Sequence, residues 1–306
     1  MDNVQSPINI SKKLNDKFYK NLSLVLGLAI VVLLGIFFQG LNSGWLKIEQ
    51  KETTTTTKAE NLAVNSTVLT TDLKQSIIEK YKDQIPTQWG ENLSGVKTKV
   101  KADKPVLALT FDATGIEAGR GYDEELINYL IENQIPATLF LSGLWIDKNP
   151  EITEQLAKNP LFEIANLGTN HLPCSVNGKS VYGILGTKNI EEVIEEIENN
   201  ALKIANYTGQ KPKFYRAGTA YSDEICVKIA HDLGYEMVGF NVLGDAGATY
   251  SKDKVKQALL TAPAGSIVIF HMNIPESETF EGIKEAIPAL KEKGVEFVRL
   301  SDYPLE

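Results

Sequence analysis

Seven short apolar runs, most of them without polar alternation, constrain this chain more than any other feature. They are "VLALTF" (106–111), "ATLFL" (137–141), "LFEIA" (161–165), "KFYR" (213–216), "MVGFNV" (237–242), "SIVIF" (266–270) and "EFVRL" (296–300). A strand covered on one face alternates; an uninterrupted apolar run is covered on both, as in a parallel sheet flanked by helices. Stripes at helical spacing lie between them: Leu126, Ile127, Leu130 and Ile131; then Val193, Ile194, Ile197, Ala201, Ile204 and Ala205; then Ile283, Ala286, Ile287 and Leu290. This alternation predicts an α/β fold over residues 85–306, a distorted seven-stranded (β/α) barrel in preference to an open sheet.

Chemistry-bearing residues collect where the strands end. Asp112 follows "VLALTF", Arg216 ends "KFYR", Asp245 lies just beyond "MVGFNV", His271 follows "SIVIF", and His171 comes shortly after "LFEIA". Barrels of this class build their sites from C-terminal strand ends and the loops beyond them. Any one of these residues could be an ordinary polar strand end; five from five strands predict a site. Trp145, Tyr221 and Phe240 are aromatic candidates to stack on a bound ligand at that site, or else core residues. His231, on a helical stretch away from the strand ends, reads as an ordinary helix residue. The formal net charge of −8 argues against a nucleic-acid surface. Cys174 and Cys226 read as buried, inert thiols, with a single disulfide as the other outcome.

"TFDAT" (110–114), "EIANLGTNH" (163–171), "FYRAGTAY" (214–221), "GFNVLGDAG" (239–247) and "IVIFHMN" (267–273) occur in the order of five motifs known from one group. In these residues the chain resembles the polysaccharide deacetylases, carbohydrate esterase family four, which share the NodB-homology domain. The resemblance spans about residues 100–303 and implies removal of acetyl groups from an acetylated polysaccharide. It implies that Asp112 is the catalytic base, Arg216 its partner, His271 the general acid and Asp245 the carboxylate tuning it. It also implies a zinc or other divalent metal on three side chains. Only His171 is retained there, because Ala113 and Leu167 replace the usual Asp and His. Ala217 likewise replaces a usual Pro. A catalytic zinc normally takes three protein ligands, and neither Ala nor Leu has a lone pair to give.

Three readings therefore stand at this level. One is a deacetylase with a rearranged metal site or none, to which Asp112, Asp245, His271 or Cys174 could contribute ligands. Another is a catalytically inactive, glycan-binding relative, and the third a structural partner in the cell envelope.

Leu22–Phe38, "LSLVLGLAIVVLLGIFF", carries no charge and is apolar on every face. With its flanks it is long enough to cross a bilayer, at about 20 residues. The division expected is a cytoplasmic tail (1–21), a transmembrane anchor (22–41), a Thr-rich linker with a short helix (42–84), and the deacetylase-like domain (85–306) outside the cytoplasm. Lysines on both sides of the span give that orientation only a slight bias. The helical face of Leu73, Ile77, Ile78 and Tyr81 belongs either to the body or to a stalk.

Overall fold

The computed structural model describes residues 70–116 and 121–306. The chain divides into two compact units, Met1–Lys58 and Ala59–Glu306. The first, with the expected span at 22–41, lies outside the described residues. Among the described residues no helix is long and apolar enough to cross a membrane.

The described part of the second unit begins with α1 (Thr71–Tyr81), β1 (Trp89–Gly90), β2 (Val96–Lys97) and β3 (Val106–Ala113). It continues through α2 (Glu124–Glu132), β4 (Ala137–Leu141), α3 (Gly143–Lys148), α4 (Pro150–Lys158) and β5 (Phe162–Asn166). A hairpin of β6 (Ser180–Val181) and β7 (Ile184–Leu185) precedes the long α5 (Ile190–Thr208), β8 (Phe214–Tyr215) and β9 (Ser222–Asp223). Then come α6 (Glu224–Asp232), β10 (Glu236–Val238), β11 (Val242–Leu243), α7 (Lys252–Leu260), β12 (Ser266–His271), α8 (Thr279–Glu292) and β13 (Glu296–Val298).

All seven expected runs contribute strands to one parallel sheet, in the order β11-β12-β3-β4-β5-β8-β10-β2, with β13 also paired to β3. The α/β reading holds, and the sheet curls into a parallel half-barrel consistent with the expected distorted barrel; the strand count and full closure differ. Among the described residues the sheet has nine strands, and its ends, β11 and β2, are not hydrogen-bonded to each other. The run 237–242, read as one strand, breaks after Val238. Gly239 N donates to Lys97 O, whereas Asn241 N donates to Ile267 O, so the chain itself crosses the opening. The carbonyls of Val238 and Gly239 are meanwhile engaged by Arg216. A buried guanidinium has taken acceptors that a continuous strand would have spent on its neighbour.

Strand alternation sorts the core into layers. Val106 and Ala108 of β3 join Phe140, Ala165, Leu167, Phe214, Val238 and Ile267 in an inner cluster. Leu107, Leu109, Phe111 and Ala113 of the same strand pack outward among Leu126, Leu130, Ile283 and Ile287 from the helices. Thr110 and Asp112 therefore share the inner register with Val106 and Ala108. α5 is capped by Asn189, whose side chain accepts from Glu192 N at 2.8 Å, and it ends at Gly209 in the left-handed region. Its stripe packs on β5 and α6.

α1 packs on the body. Ile77 and Tyr81 are 1% and 3% exposed, Tyr81 Oη donates to Asp232 at 2.9 Å, and Lys80 pairs with the same carboxylate at 2.6 Å. Leu73, counted in the same stripe, is exposed. The cysteine expectation is corrected as well: Cys174 and Cys226 form a disulfide with Cα atoms 5.9 Å apart, within the usual span for such a bond. The pairing joins the loop after His171 to the first turn of α6, a contact between residues 52 positions apart.

Candidate active site

β3 is buried along its whole length and delivers Asp112 to the C-terminal edge of the sheet. Its partner arrives from β8. Arg216 is fully buried, its Nη1 donating to Asp112 Oδ1 at 2.5 Å and its Nη2 to Thr110 Oγ1 and Gly239 O at 3.0 Å each. Nε donates to Val238 O at 3.2 Å, and the guanidinium lies 4.0 Å from the Phe140 ring centroid. The group is held by fixed acceptors on one side and an aromatic face on the other. Burial raises the Asp112 carboxyl above its usual range, although the charge and hydrogen bond of Arg216 pull the other way.

In the neighbouring strand His271 stands in register opposite Asp112. Asp245, fully buried, accepts from the His271 backbone N at 2.6 Å and from Thr279 Oγ1 at 3.2 Å, and lies 2.9 Å from His271 Nδ1. With Nδ1–H committed to Asp245, Nε2 is the ring nitrogen free for chemistry. Burial alone would lower the His271 pKa; the charge and hydrogen bond of Asp245, helped by Asp112, raise it above 6.5. The ion pair's stabilisation is therefore complete below 6.5 and lost as pH climbs through the folded-state value. In a histidine-ring NMR titration, His271 is expected to show a midpoint above 6.5 in the wild type. Asp245→Asn, which leaves burial dominant, is expected to bring it below 6.5.

His171 completes the group in a different state. Burial, and then the neighbouring His271 charge, push its pKa down to about 4, so the ring is neutral near pH 7. Its backbone is left-handed, at φ 58°. Glu196 of α5 holds the loop there, accepting from Asn170 N at 2.9 Å and from Leu172 N at 3.1 Å. Gly218 makes the close approach possible: a Cβ at that position would come 2.2 Å from His171 O. Left-handed non-glycine residues concentrate here, with His171, Tyr182, Thr219, Ala220 and Ala246 all lining one cleft. Such residues cost about 1–3 kcal/mol each and persist only where the surroundings over-determine them.

The cleft has a volume of about 660 Å³ and collects Asp112, His171 and His271 at its base. Asp245 and Arg216 stand behind them as buried partners. Tyr221 and Phe240 line the cleft as well. Trp145 does not, which corrects its expected role. It is fully buried, and its Nε1 donates to Gly121 O at 2.9 Å. The apolar positions that flank it in "SGLWIDKNP" make it a core residue at the start of α3. His231 is exposed on α6. Glu91 also lines the cleft, with no signal in the sequence, and so does Tyr182, which lies in "SVNGKSVYG" (175–183), a turn-rich segment after the His171 motif that the sequence offers as a groove wall or else a plain surface loop.

The residues do not fit the metal that the resemblance implies. Ala113 packs in the outer apolar cluster and Leu167 in the inner one, both fully buried. His171 Nδ1 is buried without a hydrogen-bond partner, which suits a ligand, but it is one donor where three are needed. Asp112 is committed to Arg216. Among the described residues no cluster of three or more His, Cys, Asp or Glu could hold an ion.

Comparison with known proteins bears on this arrangement. The family model for polysaccharide deacetylase matches residues 99–238. A peptidoglycan-N-acetylglucosamine deacetylase of Bacillus cereus is 25% identical over 214 residues, covering 68% of this chain and 92% of its own length. Among solved structures, the fold is similar to that of Bacillus subtilis PdaA, described as a family 4 carbohydrate esterase. That likeness has a TM-score of 0.55 and 20% identity, and covers 75% of this chain and 87% of that one. It is also similar to a Bacillus anthracis protein described as a family 4 pseudoenzyme, at TM-score 0.56 and 21% identity, covering 76% and 80%. A mutant of that pseudoenzyme is described as having restored enzymatic activity.

Proposed function

We propose, from the premise that this chain carries a polysaccharide deacetylase domain at residues 99–238, that it hydrolyses acetyl groups on an envelope glycan without a catalytic metal. One observation carries the reading. Two charge-coupled pairs, Arg216–Asp112 and Asp245–His271, meet in adjacent strands at the base of a single cleft. A raised carboxyl is a better base than an ordinary one, and a raised imidazolium stays protonated near neutrality.

In this mechanism the Oδ2 of Asp112 takes a proton from water as the oxygen attacks the acetyl carbonyl. His271 Nε2–H then protonates the departing sugar oxygen. The C–O bond breaks, and acetate and the free hydroxyl leave.

The magnitudes favour esters over amides. A bound metal would lower the pKa of water from 15.7 to about 7, worth about 12 kcal/mol of nucleophile activation. General-base assistance supplies about 10²–10⁴-fold instead. An O-acetyl ester, with its better leaving group, tolerates that shortfall; an N-acetyl amide does not. The apolar span at 22–38 and the Cys174–Cys226 disulfide support a membrane-anchored domain exposed to an oxidising compartment outside the cytoplasm.

The experiment is acetate release by the full chain from O-acetylated and N-acetylated oligosaccharides, with and without EDTA. Expected are turnover of the O-acetylated substrate, indifference to chelator, and no stoichiometric metal by elemental analysis. Loss of turnover in EDTA would refute metal independence. Ala113 and Leu167, which stand in place of two metal ligands, favour a second reading, a glycan-binding domain without turnover. Binding of both oligosaccharides with no acetate released would establish that reading in place of the first.

A further inference from the structure

One wall of the cleft carries the aromatic rings of Tyr182 and Tyr221, backed by a third ring from a distant segment. Tyr182, at the tip of the β6–β7 hairpin, lies 5.8 Å from Tyr221 with the rings at 85°. Tyr221 in turn lies 5.8 Å from Trp89 at 50°, and Trp89 belongs to β1, upstream of the family match. β1 pairs with β9 immediately after Tyr221, so backbone hydrogen bonding fixes the contact between the two rings. Lys179 stands 5.9 Å over the Trp89 ring, a cation–π contact that steadies it.

Tyr182 is the informative member. It is 74% exposed, so it contributes little to the core. Tyr182 and Gly183 have φ of 53° and 77°, the two central residues of a tight hairpin turn. Asn-Gly or Asp-Gly is favoured there, and a bulky ring at positive φ is an outlier. An exposed aromatic held in a strained position, with its edge contact to Tyr221 as its one ring contact among the described residues, is explained by something it meets from solvent. Glu91, two residues beyond Trp89, lines the same cleft half-buried, and burial raises its carboxyl. Rings that stack on the C–H face of a pyranose, beside a carboxylate that accepts from its hydroxyls, are the chemistry of sugar recognition.

We propose that Tyr182 and Tyr221, backed by Trp89 and joined by Glu91, form a ring-stacking subsite for a sugar unit next to the one at Asp112 and His271. The cleft therefore takes an oligosaccharide rather than a single sugar. This rests on the glycan reading above.

The test is calorimetric titration of the full chain with the β-1,4-linked N-acetylglucosamine tetramer and monomer, and with an O-acetylated xylotetraose. The wild type should bind one of the tetramers at least about tenfold more tightly than the monomer. Tyr182→Ala and Trp89→Ala should each lose about tenfold in tetramer affinity, with monomer affinity unchanged. Tyr182→Phe, which keeps the ring, should retain the affinity. Tyr182 is exposed, so its alanine variant should melt with the wild type, and the comparison survives even if Trp89→Ala does not fold. Tetramer affinity unmoved by Tyr182→Ala overturns the subsite and leaves the glycan reading standing. No binding of either tetramer by the wild type overturns both.

Discussion

Asp112→Asn is expected to lower acetate release by about 10²–10⁴-fold, the usual share of a positioned general base. The amide keeps the shape of the carboxyl and can still accept from Arg216 Nη1, but it cannot take a proton from water. The loss should fall on kcat and leave KM nearly unchanged, because the cleft walls that hold the glycan are untouched. The acidic limb of the pH–rate profile, which reports ionisation of the base, should vanish in the variant. Because burial raises the Asp112 carboxyl, that limb in the wild type should lie above the 3.8 of an ordinary Asp. Unchanged turnover would assign the base elsewhere, and the Asp112–Arg216 pair would then be structural.

Arg216→Met carries the largest expected effect on stability, a loss of about 3–5 kcal/mol, measured by urea unfolding. The side chain is fully buried, and it is the donor to a carboxylate, a hydroxyl and two backbone carbonyls at once. Methionine fills much of the volume and satisfies none of them. The pH dependence has a definite sign. Without the guanidinium, the Asp112 pKa rises further above 3.8, the buried carboxyl being harder to ionise. The folded variant then binds a proton that the unfolded chain does not, so it gains stability as pH falls through that raised value. The deficit should be largest at alkaline pH and shrink in mild acid. Asp112→Asn combined with Arg216→Met should cost less than the sum of the two singles, because each single variant strands the other's partner.

These residues were legible in the sequence for a physical reason. β3, β4 and β12 are covered on both faces, which leaves uninterrupted apolar runs, and the first polar residues beyond them mark the strand ends. Asp112, His271 and Arg216 needed only that rule together with the motif order. What the rule could not reach was set by contacts between distant segments. Nothing local in "MVGFNV" announces that Val238 and Gly239 turn their carbonyls to a guanidinium from another strand. Nothing near Cys174 reveals that Cys226 approaches it. Trp145 carries the same letter whether it faces a groove or a core, and here its Nε1 finds a carbonyl inside. Trp89 lies upstream of every motif and meets Tyr221 of the cleft wall only because β1 pairs with β9.

The strained residues gathered around the cleft have a practical corollary. Anyone hardening this domain against heat would find the cheapest gains by putting glycine or asparagine at 171, 182, 219, 220 and 246, where left-handed geometry penalises the present side chains. Those are also the positions that shape the mouth. Screened for melting temperature alone, improved descendants would drift toward a sturdier shell with a blunted opening, so any such screen has to carry a ligand assay alongside it.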